Sequence, residues 1–166
     1  MLMEAAAYLE RIEDLRAQIT RIVQMVPPEA LNWRPDEESE DHAMNSVAVM
    51  ATHVVGAEHF WIGEVVGRLP ATRNRDAEFE TVVADTAVLQ KTFQTVHEQT
   101  RRILQNLTQA DLDGTRQARD REVPTRWAIL HVIDHTALHL GHMQITVQLW
   151  QGGTAVDSPR WFQRLK

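Results

Sequence analysis

Apolar residues recur with a helical period along most of the chain. Over residues 3–26 they lie three and four positions apart, with charged residues on the opposite face, and Pro27 and Pro28 follow directly. This pattern predicts a first helix that ends at the two prolines, because proline disrupts a helix interior. Residues 29–42 are polar and broken by a further proline, which is typical of a loop.

The same period predicts three further helices. The second has Asn45 or Ser46 as its N-cap and runs to about Arg68, the third runs from about Ala77 to Leu107, and the fourth begins at Pro124 or Thr125 and ends at Gly152-Gly153. Residues 71–76 and 108–123 are polar and are predicted to be loops. Since no segment reads as a convincing strand, the chain is predicted to be all-α: a four-helix bundle forming a single domain over residues 1–166.

Composition narrows the function classes. The 166 residues carry a net charge of −6 and form no stripe of basic residues, so we expect no nucleic-acid partner. The absence of cysteine excludes disulfides, thiolate ligands and a cysteine nucleophile. No apolar run approaches the ~18 residues that a membrane span needs, and the N-terminus lacks a signal-peptide pattern. These features predict a cytoplasmic protein without a membrane partner.

Four of the eight histidines lie in the predicted fourth helix, at His131, His135, His139 and His142. At about 100° per residue they fall within roughly 80° of arc on one helical face. Imidazoles on a face that should meet the core need an explanation. Neutral imidazole is the commonest metal ligand in proteins, so the stripe predicts a metal site.

The spacing distinguishes the roles of these four histidines. His135 and His139 are one turn apart and can chelate one ion. A third ligand should come from a facing helix, and His53 lies on the more apolar side of helix 2, whereas His59 is expected to be peripheral. We therefore predict that His53, His135 and His139 bind a divalent metal between helices 2 and 4.

Two segments, MNSVAVMATHVVGAEHFWIGEVVGR and TRWAILHVIDHTALHLGHMQIT, resemble helix 2 and the last helix of the DinB-like (YfiT-like) superfamily of metalloenzymes. In that family one histidine of helix 2 and an HxxxH pair bind a divalent metal, and the matching positions here are His53, His135 and His139. The resemblance also implies a cosubstrate, because some relatives transfer groups to low-molecular-weight thiols such as bacillithiol, mycothiol or glutathione.

The chain departs from the family pattern after His139. The family often has HRGQ there, and this chain reads HLGH, which introduces His142. His142 lies about two turns, or roughly 10 Å, beyond His135, so joint ligation is awkward and a role at the site edge as acid or base is predicted, with plain packing as the alternative. His131 is expected to support the site without binding metal. Glu64 is expected either to orient a ligand or to be a charge at the rim. His42 and His97 are expected to be solvated.

Three histidine ligands leave an open position for water, a thiol or a substrate oxygen. Zinc or nickel is the expected ion, although iron, copper and cobalt also suit nitrogen ligands. The leading hypothesis is a metal-dependent S-transferase for a small thiol, with a metal-dependent hydrolase as a variant. The alternatives are a non-catalytic metal-binding bundle and a structural helical dimer. A homodimer is expected, because helix 2 is apolar on several sides.

Overall fold

The computed structural model of the protein describes residues 1–35 and 44–153. The prediction for His42 concerns a residue outside these ranges. The α-helices are α1 (Met3–Met25), α2 (Pro28–Asn32), α3 (Val47–Glu58), α4 (Arg75–Phe79), α5 (Thr86–Asn106), α6 (Gln109–Asp113) and α7 (Thr125–Trp150). A π-helix (His59–Val66) continues α3. Of the predicted all-α fold, the mainly helical character is confirmed.

The predicted second helix corresponds to α3 and the π-helix together. Ser46 is its N-cap, and the Ser46 side chain accepts a hydrogen bond from the backbone N–H of Val49. From His59 onwards the backbone widens into the π-helix, which ends where the N–H of Gly67 donates to the carbonyl of Ile62. The apolar pattern did not reveal this widening.

The prediction of one helix from Ala77 to Leu107 is wrong over its first turns. The helix α4 ends at Phe79, and α5 begins at Thr86 with Asp85 as its N-cap. Between them the Asn32 side chain accepts a hydrogen bond from the N–H of Val83 at 2.9 Å and donates one to its carbonyl at 2.7 Å. Because both backbone groups of Val83 are bound in this way, they cannot join a helical ladder.

The loop predicted over residues 108–123 is also wrong. It contains α6 and an antiparallel hairpin of β1 (Thr115–Ala118) and β2 (Arg121–Pro124), in which Ala118 pairs with Arg121. The strands have four residues each, and the turn uses Arg119 at φ 56°. The pattern missed this hairpin because a positive φ normally favours glycine or asparagine.

The long helices pack in pairs around a continuous interior. The helix α1 packs against α5 and α7, and α3 packs against the same two helices. One core cluster joins residues of all four, and a second extends under the π-helix, α6 and the hairpin. Among the described residues, no helix combines the length and apolar character required to cross a bilayer. This packing sets α3 beside α7, where the predicted metal ligands lie.

Candidate metal centre

The structure brings together the three histidines predicted as metal ligands. His53 lies on α3 and is buried, whereas His135 and His139 lie one turn apart on α7 and are half-buried. One nitrogen from each ring can be chosen so that all three lie within 4.8 Å of one another. The Nε2 atoms of His53 and His135 are 3.1 Å apart. This triad could hold a metal ion, and three nitrogen donors are a known ligand set for a divalent cation.

The His53 ring is held by a carboxylate that the sequence did not single out. Nδ1 of His53 lies 2.8 Å from Oε2 of Glu78, which is buried at the end of α4. An ionised carboxylate only accepts hydrogen bonds, so this contact places the proton on Nδ1 and leaves the lone pair on Nε2. Nε2 is the atom that faces His135. The arrangement matches the carboxylate–histidine pairs that orient metal ligands in proteins.

Arg73 keeps Glu78 ionised. Its Nε donates to Oε1 of Glu78 at 2.6 Å, and its Nη2 donates to Oε2 at 2.8 Å. Burial alone raises the pKa of Glu78, but the hydrogen bonds from Arg73 and His53 outweigh it, so the pKa lies below its ordinary value. The carboxylate is therefore charged near neutral pH and can accept from His53.

Glu64 binds the backbone next to Arg73. Its Oε1 accepts hydrogen bonds from the backbone N–H groups of Thr72 at 2.7 Å and Arg73 at 2.8 Å. Glu64 thus fixes the segment that carries Arg73, and it does not contact the triad. The two roles predicted for it, ligand orientation or a rim charge, are replaced by this indirect one.

Gly56 allows Glu78 to reach α3. A Cβ atom built on Gly56 would collide with the Glu78 carboxylate, because the nearest atoms to that position are Oε1 and Cδ of Glu78. Gly56 lies three residues after His53, on the same side of the helix. The missing side chain therefore makes room for the carboxylate that orients His53.

The two α7 histidines are poor bases in this environment. Burial lowers the pKa of His135 to about 3, helped by the charges that His139 and His53 would carry. Burial likewise lowers the pKa of His139 to about 4, with His53 and His142 contributing. Both rings are thus neutral at physiological pH, which is the form that binds metal.

The buried atoms of the triad also fit a cation. Within residues 1–35 and 44–153, the buried side-chain atoms that lack a hydrogen-bond partner include Nδ1 of His135 and Nδ1 of His139. Buried polar atoms in native proteins are normally paired. No protein group therefore binds Nδ1 of either α7 ring, and the nitrogen of His135 that faces His53 is Nε2, which is available as a donor to a divalent ion.

The other histidines lie outside the triad. His131 stacks on Trp127 with ring centroids 5.0 Å apart and an interplanar angle of 5°, and it also contacts the ring of His135. His142 is exposed, and its ring lies 5.6 Å from that of His139. His59 is directed away from the triad, to Gln99 and Thr72. His97 is half-buried against Arg16, so its predicted solvation is wrong.

Sequence reasoning missed Glu78 and Arg73. Arg73 lies 20 residues beyond His53, in the predicted polar turn, and Glu78 lies 25 residues beyond it, at the start of the predicted third helix. No spacing rule links them to a histidine on another helix. The signal that could have pointed to them was Gly56, a gap in the apolar surface of α3 directly beside His53.

The family comparison agrees with this geometry. A match to the DinB superfamily covers residues 11–143, which is most of the chain. The chain belongs to the DinB superfamily. No curated protein matches it.

Two crystal structures share the fold. A conserved protein from Enterococcus faecalis superimposes with a TM-score of 0.74 at 14% identity, covering 92% of this chain and 99% of the other. A DinB-like protein of Bacillus subtilis, YjoA, gives a TM-score of 0.68 at 18% identity, covering 96% of this chain and 99% of the other. At these identities the similarity establishes the fold alone.

Proposed function

We propose that this DinB-superfamily protein is a metal-dependent transferase that uses a low-molecular-weight thiol. The four long helices α1, α3, α5 and α7 would form a four-helix bundle, with His53, His135 and His139 holding the ion. The observation that carries the proposal is the convergence of the three histidine nitrogens within 4.8 Å, with His53 oriented by Glu78. Zinc or nickel is the expected ion, and iron also suits these nitrogen donors.

A divalent ion bound there supplies positive charge that stabilises a thiolate or hydroxide near neutral pH. The chain contains no cysteine, so the sulfur must arrive with a cosubstrate. His142 is the proposed base: its exposed ring lies beside His139 and would accept the thiol proton on a ring nitrogen. The sulfur then bonds to an electrophilic carbon, whose leaving group departs with the bonding electrons.

The same donor set supports two alternatives. With water in place of the thiol, the protein would be a metal-dependent hydrolase. Without a binding site for an electrophilic substrate, it would be a non-catalytic metal-binding bundle.

A homodimer in the cytoplasm is also proposed. The exposed apolar residues Leu138, Ile145 and Leu149 of α7 support the dimer. Light scattering of the purified protein tests that assembly.

The first experiment measures the metal content of protein purified without a histidine tag after supplementation with zinc or nickel. We expect stoichiometric metal in the wild type and its loss in His135→Ala. Conjugation of a chloro-nitroaromatic with glutathione, mycothiol and bacillithiol is then measured with and without metal. Absence of metal in the wild type overturns the site. Bound metal without conjugation to any thiol supports the alternatives.

A further inference from the structure

A cavity lies next to the triad but is separate from it. It has a volume of about 440 Å³ and opens between α3, α5 and residues 73–78. This volume falls within the roughly 300–1,000 Å³ of small-molecule sites. None of the three triad histidines lines it. Glu78 and Arg73 do, so the pair that orients His53 forms a wall shared by the two regions.

The cavity lining has an excess of positive charge, although the whole chain carries −6. Arg73 and Lys91 contribute two cations, and Glu78 contributes one carboxylate. The Arg73 side chain is only 8% exposed and uses Nε and Nη2 to bind Glu78. Within the described ranges, its Nη1 has no hydrogen-bond partner and Lys91 has no ion-pair partner. Both groups are therefore available to an anion.

The remaining lining adds donors and apolar surface. The Asn74 carbonyl oxygen accepts from the N–H of Ala77, which leaves its NH₂ group for a ligand. The Thr52 hydroxyl is buried without a partner. Val55 and Val96 form apolar wall on opposite helices. A few convergent donors on an apolar background are the usual composition of a small-molecule site.

We propose that this cavity binds a small organic carboxylate. The carboxylate would contact Nη1 of Arg73 and the ammonium of Lys91, and the apolar part of the ligand would pack against Val55 and Val96. Arginine and lysine are the side chains that recognise carboxylates in proteins. The site is distinct from the position at which the proposed thiol would react, because Glu78 and Arg73 lie between the cavity and His53.

The proposal extends to coupling between the two sites, a part that rests on the proposed function. Arg73 would hold the carboxylate ligand through Nη1 and Glu78 through Nε and Nη2 at the same time. Glu78 in turn binds Nδ1 of His53. An anion on Arg73 therefore changes the charge felt by Glu78 and, through it, the basicity of a metal ligand. Coupling of this kind is reciprocal between the two ligands.

The chain offers a selective probe, because Lys91 and Lys166 are its two lysines. Reductive ¹³C-dimethylation labels both and keeps their charge. Titration with benzoate should shift the Lys91 resonance saturably, and neutral benzamide should leave it unchanged. Absence of a saturable Lys91 shift overturns the proposal. An equal response to benzamide overturns the assignment to carboxylates.

Charge reversal gives the matched test. Lys91→Glu should weaken benzoate binding by about tenfold or more, measured on the Val96 methyl resonances, because an attraction becomes a repulsion. Arg102→Glu makes the same charge change on an exposed face of α5 outside the cavity and should leave the affinity unchanged. Equal effects of the two substitutions would mean nonspecific attraction and would overturn the site.

Coupling is tested by zinc titration with and without saturating benzoate. We expect benzoate to change the zinc affinity, and zinc to change the benzoate affinity by the same factor. An unchanged zinc affinity overturns the coupling. If the protein binds no zinc, the proposed function fails, and the Lys91 titration still decides whether the cavity binds anions.

Discussion

The Nδ1 atom of His53 lies 2.8 Å from the Oε2 atom of Glu78. This contact joins α3 to the short helix α4 and fixes which nitrogen of His53 faces the other two histidines. The triad is therefore more than three rings that happen to meet. One of its members is held in a defined tautomer by a buried carboxylate, which is itself held by Arg73.

Replacing Glu78 with Gln should weaken metal binding about 10- to 100-fold, the range found when such orienting groups are removed. The amide keeps the shape of the side chain but loses the charge that makes Nδ1 the protonated atom. The affinity can be measured by competition with a chromophoric zinc chelator. Glu80→Gln is the matched control, since Glu80 is exposed two residues further on. Equal affinities of the two variants would contradict the orienting role.

Gly56→Ala should also weaken metal binding. The new Cβ would occupy the space of the Glu78 carboxylate and push it away from His53. The control is Gly141→Ala on α7, where a Cβ meets no atom within 4 Å. That substitution should stabilise the protein by up to about 1 kcal/mol, because alanine is the better helix former. Chelator competition and urea unfolding of both variants test the pair. Unaltered metal affinity in Gly56→Ala would show that metal binding does not depend on the observed position of the Glu78 carboxylate.

The sequence predicted that these three histidines would come together, because helical spacing is a local rule. His135 and His139 are four residues apart on one helix, so any helix places them together, and His53 lies on the apolar side of the helix that packs against it. Glu78 and Arg73 obey no such rule. Glu78 lies in α4 and Arg73 lies just before it, in a region of the chain with long-range hydrogen bonds such as that between Asn32 and Val83. Tertiary hydrogen bonds of this kind leave no periodic signal.

The missed hairpin has a comparable cause. Its strands are short, and its turn places Arg119 rather than glycine at φ 56°. Residues outside the strands stabilise it: Asp111 and the carbonyl of Val66 accept hydrogen bonds from the buried Arg116 of β1, at 2.7 Å and 3.4 Å. The helical period of the apolar residues predicted the correct class, mainly helical, because the long helices dominate the chain.

Acid should destabilise the metal-free protein through the α7 histidines. An unfolded histidine titrates near 6.5, whereas His135 and His139 in the fold titrate at about 3 and about 4. Between these values the unfolded chain binds protons that the folded chain does not, so stability present above pH 6.5 is lost as the pH falls. The slope cannot exceed about 1.4 kcal/mol per pH unit per histidine, because each ring takes up at most one proton on unfolding.

Urea unfolding at a series of pH values measures this dependence. Replacing both His135 and His139 with Gln should flatten it, since glutamine does not titrate. A double variant with the same slope as the wild type would show that the two rings do not carry the acid sensitivity.

Glu58→Ala should destabilise the fold by about 3–5 kcal/mol, the usual cost of removing one partner from a buried ion pair. Glu58 is 2% exposed and accepts hydrogen bonds from Arg16 and Thr100. Burial raises the pKa of Glu58, and its loss would leave the Arg16 guanidinium buried without a carboxylate. The control is Arg11→Ala, which breaks the exposed Arg11–Asp14 pair and should cost at most about 1 kcal/mol. Thermal unfolding measures the stability of both variants. Comparable losses of stability in Glu58→Ala and Arg11→Ala would contradict the larger contribution of the buried pair.

His142→Ala separates catalysis from metal binding. His142 is exposed and lies outside the triad, so its removal should leave metal content and affinity unchanged. If His142 accepts the thiol proton, the rate of conjugation should fall about 10²–10⁴-fold, the range of a lost general base. The loss should shrink at higher pH, where more of the thiol is already ionised. Asp134→Ala, at another exposed position of α7, is the control. A rate loss with the same size at every pH would assign His142 to substrate positioning instead of proton transfer.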